Sequence, residues 1–240
     1  MIDGVVFDLD GLLLDSEQVW DAAREELANE RGGHWHPQAQ RDMMGMSSPE
    51  WSRYMHDVIG LPEPPEEIND EVVQRLERSY REHLPVIPGA QAAVERLAAR
   101  WPLALASSSN RELIDLALDL MGIAGCFQAT VSSEEVAHGK PAPDVYLEAA
   151  RRLDVDPTRA VAIEDSHNGI RAAKAAGMGV VAIPNKHFPP GAEALAQAEV
   201  VLGSLDELGP DAVSAADPSR PSGSPSTRSE ESSRASGSGQ

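Results

Sequence analysis

Short runs of apolar residues alternate along this chain with longer stretches in which apolar residues recur every three or four positions. The first run, Val5 to Phe7, is continuous, which is typical of a strand buried on both faces of a sheet. Further runs lie at Leu103–Ala106, Ala129–Val131, Ala160–Ile163, Gly179–Ile183 and Val200–Leu202. Helical patterns separate most of these runs. Strands that alternate with helices predict an α/β fold with a parallel sheet built from βαβ units.

The segment from Ser16 to about Pro85 has helical patterns only. Its clearest helix carries apolar residues every fourth position from Ile68 to Tyr80, which predicts an amphipathic stripe. We therefore expect a small all-helical unit, residues 16–85, inserted into an α/β domain made of residues 1–15 and 86–209. After Pro210 the composition changes to Ser, Pro, Gly, Arg and Glu with almost no large apolar residues. For this reason residues 210–240 are predicted to form a disordered tail.

Two aspartates, Asp8 and Asp10, follow the first apolar run and precede Gly11. An Asp-Gly pair between apolar runs also predicts a hairpin, so this stretch alone leaves two interpretations open. The alternation of strands and helices in the rest of the chain favours the end of a parallel strand. Ligands of open α/β sheets bind beyond the carboxyl ends of the strands.

Polar residues also follow other predicted strands. Ser107 ends one of them, Lys140 precedes a helix, and the pair Glu164-Asp165 ends another strand. Together with the two aspartates they predict one site at a common edge of the sheet. Carboxylate oxygens suit Mg²⁺, and a lysine and a hydroxyl can bind phosphoryl oxygens while a free carboxylate acts as nucleophile. The chemistry that this set indicates is phosphoryl transfer.

Four segments carry a family resemblance, in order along the chain: FDLDGLLLDSE, LALASSSN, GKPAPD and IEDSHNGIRAAKAAGM. They resemble the four motifs of the haloacid dehalogenase superfamily, and the resemblance covers residues 1 to about 208. The chain is most similar to the subgroup with a helical cap after the first motif, which contains phosphatases and β-phosphoglucomutase-like enzymes. This resemblance implies a Rossmann-like core with a parallel sheet and a small inserted cap domain.

The resemblance also implies roles for individual residues. Asp8 matches the nucleophile that forms an aspartyl-phosphate, and Asp10 matches the general acid/base. Lys140 matches the lysine that neutralises the nucleophile and the phosphoryl group. The positions matching phosphate-binding residues are Ser107, Ser108, Asn110 and Lys140. The positions matching Mg²⁺ ligands are Asp8, Asp10 through its backbone carbonyl, Glu164 and Asp165.

Substrate specificity in this family resides mainly in the cap. The candidates for substrate contact there are Trp20, Met43, Met46, Trp51, Arg53 and Tyr54. The expected reaction is Mg²⁺-dependent hydrolysis of a small phosphomonoester, a sugar phosphate. The expected partner is therefore a small phosphorylated metabolite.

Three alternatives stay open. A sugar-phosphate mutase is the nearest, but Trp20 stands where mutases have a histidine, and Ser48 follows Gly45-Met46-Ser47 where they place an arginine. A dehalogenase lacks a second aspartate at the position of Asp10. A phospho-accepting receiver module carries its acidic pair before the acceptor aspartate, whereas here the pair follows it.

The overall charge of the chain limits the kinds of partner that it can bind. Asp and Glu (39) outnumber Lys and Arg (20), and the formal net charge is −19. This argues against nucleic acid or a membrane surface as partner, because both are polyanionic. Cys126 is the one cysteine, which favours a reducing cytoplasm. Neither a signal peptide nor a membrane-spanning run is evident, and we expect a monomer.

Overall fold

The structure, a computed structural model, describes residues 1–43 and 46–219. Its centre is a six-stranded sheet in the order β3-β2-β1-β4-β5-β6, in which every pair of neighbours is parallel. The strands are β1 (Gly4–Phe7), β2 (Leu103–Ser107), β3 (Phe127–Ser132), β4 (Ala160–Glu164), β5 (Gly179–Ala182) and β6 (Val200–Val201). The predicted α/β class is confirmed. The strand order reverses at β1, so the end of β1 lies at the position where such sheets bind ligands.

Helices cover both faces of the sheet. Val5 and Phe7 of β1 belong to one apolar cluster with α5 (Ala90–Ala98) and α6 (Arg111–Met121). Val6 points to the opposite face and clusters with α7 (Asp144–Leu153) and α8 (His167–Ala175). The continuous apolar run of β1 is explained by this burial on both sides.

Four helices lie between β1 and α5: α1 (Glu17–Glu30), α2 (Ala39–Met43), α3 (Ser48–Asp57) and α4 (Pro65–Glu82). We call residues 16–85 the cap segment. Its two connections to the sheet run side by side, since the amide of Asp15 donates to the carbonyl of Pro85 at 2.8 Å and the amide of Ile87 to that of Leu13 at 2.9 Å. No helix within residues 1–43 and 46–219 has both the length and the apolar character that a bilayer crossing needs.

The C-terminal region differs from the prediction. Two short helices follow β5, α9 (Ala192–Leu195) and α10 (Pro210–Ala215), and α10 falls in the stretch predicted to be disordered. Val213 and Ala216 are fully buried in the same apolar cluster as β1. The prediction of disorder is therefore wrong for residues 210–219, because a short segment with few apolar residues gains its order from the core it contacts. Residues 220–240 lie outside the described residues.

Replacing Val213 by Ser should destabilise the protein by about 2–4 kcal/mol, because the change leaves a small void and buries a hydroxyl. Ala215→Ser, at an exposed position of the same helix, should change the free energy of unfolding by less than about 0.5 kcal/mol. Urea denaturation measures both. Equal effects of the two substitutions would show that α10 does not pack on the core in solution.

Candidate active site

A cavity of about 260 Å³ opens beyond the carboxyl ends of β1, β2 and β4. The sheet domain contributes Asp8, Asp10, Ser108, Ser109, Lys140, Ser166, His167 and Asn168 to its walls. The cap segment contributes Glu17, Trp20, Arg24, Arg41, Met43, Met46 and Trp51. Of the polar residues predicted to converge from separate strand ends, Asp8, Asp10 and Lys140 line this cavity, whereas Ser107, Glu164 and Asp165 lie behind its walls.

Lys140 is the central charge of this cavity. Its ammonium group lies 2.9 Å from Oδ1 of Asp8 and 2.7 Å from Oε1 of Glu164, and all three side chains are buried. Burial alone would lower the pKa of Lys140, but the neighbouring charges of Asp8 and Glu164 raise that pKa above its ordinary value. Lys140 therefore stays protonated and can offset negative charge beside Asp8.

Glu164 forms the second ion pair of Lys140 and holds its ammonium group in place. Its Oε1 accepts hydrogen bonds from Lys140 and from the Tyr146 hydroxyl, the latter at 2.6 Å. Its Oε2 accepts from the amides of Asp165 and Ser166 and from the Ser166 hydroxyl, at 3.0, 3.1 and 3.0 Å. Burial opposes ionisation, but Lys140 and these donors lower the pKa of Glu164. Glu164 is an ionised carboxylate whose two oxygens are both engaged.

Asp8, Glu164 and Asp165 form a group suited to a hard cation. One carboxylate oxygen from each lies within 4.8 Å of the others, and Oδ1 of Asp165 is buried without a hydrogen-bond partner. Burial raises the pKa of Asp8 to about 8 against the effect of Lys140, and burial and the charge of Glu164 raise that of Asp165. A divalent ion would relieve this repulsion and satisfy the free oxygen. The donor set therefore fits Mg²⁺.

Asp10 lines the same cavity as Asp8, and hydroxyl groups hold its carboxylate in place. Its Oδ1 accepts from Ser16 at 2.5 Å, and its Oδ2 accepts from Ser107 at 3.2 Å and from Ser109 at 2.7 Å. Three short side chains thus fix the orientation of a carboxylate that lines the cavity. This geometry suits a group that exchanges a proton with a ligand next to Asp8.

The predicted phosphate-binding residues separate into two sets. Ser108 lines the cavity, and so does Ser109, which the sequence did not single out. Ser107 is buried, with its hydroxyl donating to Asp10 and accepting from the Ser109 amide at 3.0 Å. Asn110 is also buried, and its amide donates to Asn69 of α4 and to Glu134. The structure places Asn110 away from the cavity wall, at a contact with the cap segment.

The residues of the cap segment that were predicted to contact the substrate fall into two groups. Trp20, Met43, Met46 and Trp51 line the cavity. Arg53 is exposed on α3 outside the cavity wall, and the Tyr54 hydroxyl donates to Asp42 at 2.7 Å. The structure does not support a contact of Arg53 or Tyr54 with a ligand in this cavity.

The cationic residue that reaches the cavity from α1 is Arg24, which the sequence analysis missed. Its spacing of four residues from Trp20 places both side chains on one face of the helix, and this spacing is the signal that could have identified it.

Two glycines permit close packing around the carboxylates. Gly11 has φ of 82°, and a side chain there would overlap the Asp165 carboxylate. Gly169, in the first turn of α8, leaves the space that the Glu164 carboxylate occupies. The Glu164 side chain can lie beneath Lys140 because position 169 has no β-carbon.

Gly169→Ala should displace Glu164 and destabilise the protein by about 1–3 kcal/mol, the usual cost of overpacking. A matched control is Gly125→Ala, since a β-carbon at Gly125 meets no atom within 4 Å. The control should be neutral or stabilising by up to about 1 kcal/mol. Chemical denaturation gives both values, and two neutral substitutions would contradict the described packing of Glu164.

The chain resembles known hydrolases in sequence and in fold. A sequence model of the haloacid dehalogenase-like hydrolases matches residues 2–177. The chain is 34% identical over 209 residues to hexitol phosphatase B of Escherichia coli (strain K12), covering 85% of this chain and 92% of that protein. It is 33% identical over 206 residues to the bifunctional riboflavin kinase/FMN phosphatase of Arabidopsis thaliana, covering 85% of this chain but 54% of that protein. The chain thus spans about half the length of this bifunctional relative.

A solved structure supports the fold. The crystal structure of CbbY from Rhodobacter sphaeroides in complex with phosphate superposes with a TM-score of 0.79 at 29% identity, covering 89% of this chain and all of that one. The predicted Rossmann-like fold is therefore confirmed, as is the prediction of a hydrolytic enzyme with phosphatase relatives. On these matches, the chain belongs to the haloacid dehalogenase-like hydrolase family.

Proposed function

We propose that this protein is a Mg²⁺-dependent phosphatase that hydrolyses a small phosphomonoester, a sugar phosphate, through an aspartyl-phosphate on Asp8. The observation that carries the proposal is the position of Asp8, which lies in one cavity with Lys140 at 2.9 Å and with a second carboxylate, Asp10. The similarity to hexitol phosphatase B supports a phosphorylated sugar derivative as substrate.

The nucleophilic step follows from the charges around Asp8. An anionic carboxylate that approaches an anionic phosphoryl group is repelled unless cations lie close to both. Lys140 supplies one such charge through its contact with Asp8, and the ion pair with Glu164 holds it there. The hydroxyl of Ser108, on the cavity wall, can donate to a phosphoryl oxygen.

The carboxylates of Asp8, Asp165 and Glu164 are the side chains that would hold the metal ion, together with the backbone carbonyl of Asp10 that the family resemblance implies. A bound Mg²⁺ supplies positive charge that neutralises and orients the phosphoryl oxygens. Of these groups, Asp165 has the oxygen most available, because its Oδ1 has no other partner.

Asp10 is proposed to protonate the leaving oxygen and then to take a proton from the water that hydrolyses the aspartyl-phosphate. The hydroxyls of Ser16, Ser107 and Ser109 keep its carboxylate directed along the cavity wall during both transfers.

A mutase differs from a phosphatase in the group that attacks the aspartyl-phosphate, which is a sugar hydroxyl instead of water. Trp20 lines the same cavity as Asp10, and its indole group cannot exchange protons as a histidine can. Ser47 and Ser48, at the start of α3, are buried, and Ser47 caps that helix together with Glu50. These residues favour transfer to water over transfer to a second sugar hydroxyl.

Small phosphorylated metabolites are the expected partners of such an enzyme. The single cysteine and the excess of acidic residues favour a monomer that acts in the cytoplasm.

Asp8→Asn should lower phosphate release from sugar phosphates at least about a hundredfold, because an amide cannot attack phosphorus. The assay measures inorganic phosphate from a panel of phosphorylated metabolites with Mg²⁺. Circular dichroism confirms that the variant is folded. A variant that keeps near-parental activity would rule out Asp8 as nucleophile.

The same assay includes β-glucose 1-phosphate with a trace of the 1,6-bisphosphate. Formation of glucose 6-phosphate faster than phosphate release would favour the mutase.

Asp165→Asn should raise the Mg²⁺ concentration for half-maximal activity at least about tenfold, since the change removes a charged oxygen ligand. Asp119→Asn, at an exposed position on α6, is the matched control and should leave the titration unchanged. A chelator should abolish activity in the parent protein. Superimposable Mg²⁺ titrations of the parent and Asp165→Asn would show that Asp165 is not a ligand of the metal.

A further inference from the structure

Arg24 is a buried cation that faces the cavity from the cap segment. It belongs to α1, its side chain is 7% exposed, and it lines the cavity together with Asp8 and Lys140. Lys140 belongs to the sheet domain and Arg24 to the cap segment, so the two cations reach the cavity from different parts of the chain. A substrate whose phosphate lies against Asp8 and Lys140 would have its other groups next to cap residues such as Arg24.

Two indole rings hold the guanidinium group in place. Its central carbon lies 4.7 Å from the ring centroid of Trp20 and 4.7 Å from that of Trp51. The two rings meet edge to face, with centroids 5.9 Å apart. Contacts of this kind stabilise a cation without using its hydrogen-bond donors. The donors of Arg24 are therefore left for another partner in a fixed orientation.

The structure supplies no such partner within the described residues. Nε of Arg24 is buried without a hydrogen-bond acceptor, and no carboxylate of the described ranges lies within ion-pair distance of Arg24. A buried charge without a paired anion is unfavourable, and a purely structural arginine is normally paired. This pattern is expected of a group whose anion arrives with the ligand.

Burial and three carboxylates at longer range, those of Glu17, Asp21 and Asp10, determine the electrostatic environment of Arg24. Burial lowers the pKa of Arg24 to about 10, so the guanidinium stays protonated at neutral pH. Glu17 is the carboxylate of α1 on the same wall, and burial and the charge of Asp10 raise its pKa to about 7. Arg41, exposed at the cavity, adds a second positive charge.

We propose that Arg24 binds an oxyanion, a carboxylate or a second phosphate, at the end of the substrate remote from the phosphate that is cleaved. The inference rests on the proposed phosphatase function and makes its substrate class narrower: small phosphomonoesters with a second anionic group. The planar fork of a guanidinium matches both oxyanions, and charge-assisted hydrogen bonds of this kind are strong.

The test compares ligands that differ only at the remote end. Glucitol 6-phosphate has a neutral end, 6-phosphogluconate a carboxylate, and glucitol 1,6-bisphosphate a second phosphate. Glycerol 3-phosphate and 3-phosphoglycerate form a shorter matched pair. Binding is measured with Mg²⁺ in the Asp8→Asn background, by the change in tryptophan fluorescence that a ligand beside Trp20 and Trp51 should cause. This readout needs no turnover, so a failure of the phosphatase proposal does not obscure it.

In the Asp8→Asn background, at least one anionic ligand should bind about tenfold or more tightly than its neutral partner. Arg24→Gln should bring the ratio of the two dissociation constants, neutral over anionic, close to one. The dissociation constant of the neutral ligand should change little. Arg53→Gln removes an exposed cation of the same cap segment and should leave the ratio unchanged. The preferred remote group then identifies the oxyanion.

Arg24→Met retains an apolar body between the indole rings, so it replaces Arg24→Gln if the latter is unfolded by circular dichroism. Both dissociation constants are measured on the same preparation of one variant, so an inactive fraction of the protein affects both measurements equally. Equal binding of anionic and neutral ligands, or a preference that survives the loss of the Arg24 charge, would overturn the inference.

Discussion

The buried ammonium group of Lys140 is the interaction on which the geometry of the site depends. Asp8 and Glu164 end neighbouring strands, and without a cation between them their carboxylates would repel in a medium that screens charge poorly. With Lys140 at 2.9 and 2.7 Å from these oxygens, three separate chain segments have one low-energy arrangement. The donors that surround Glu164 complete this arrangement. The position of the proposed nucleophile is thus fixed by charge balance as well as by the end of β1.

The cap segment is coupled to this arrangement at several points. Asp10 accepts a hydrogen bond from Ser16, the residue that precedes α1, and also from Ser107 at the end of β2 and from Ser109. Asn69 of α4 accepts from Asn110 at 3.0 Å. A side chain at Gly139, next to Lys140, would approach Ser47 of the cap segment to 3.3 Å. The cavity therefore has walls from both parts of the chain, and the group proposed to transfer protons lies where they meet.

The sequence predicted what depends on local pattern and on residue type. Continuous apolar runs flanked by helical patterns were sufficient to predict the parallel sheet. The polar residues at the ends of its strands, together with Lys140, predicted that Asp8, Lys140 and Glu164 come close together, and their side chains are in contact. Contacts between distant segments were not predictable in this way. Asn110 was assigned to phosphate, whereas its amide group contacts Asn69 across the molecule. The helix α10 has one large apolar residue, Val213, so its order depends on a core that composition does not describe.

The net charge of the chain gives Arg24 a particular importance. With a formal charge of −19, the protein as a whole repels phosphorylated metabolites at long range, and salt screens this repulsion within about 8 Å at physiological ionic strength. Attraction therefore has to arise inside the cavity, where burial strengthens the effect of each cation. Lys140 is largely compensated by two carboxylates, so the positive charge left for a ligand comes from Arg24 and Arg41 and from the metal ion that the proposed mechanism requires. Because the indole rings hold Arg24 without neutralising it, the cap segment can select for a second anionic group while the overall field opposes anions.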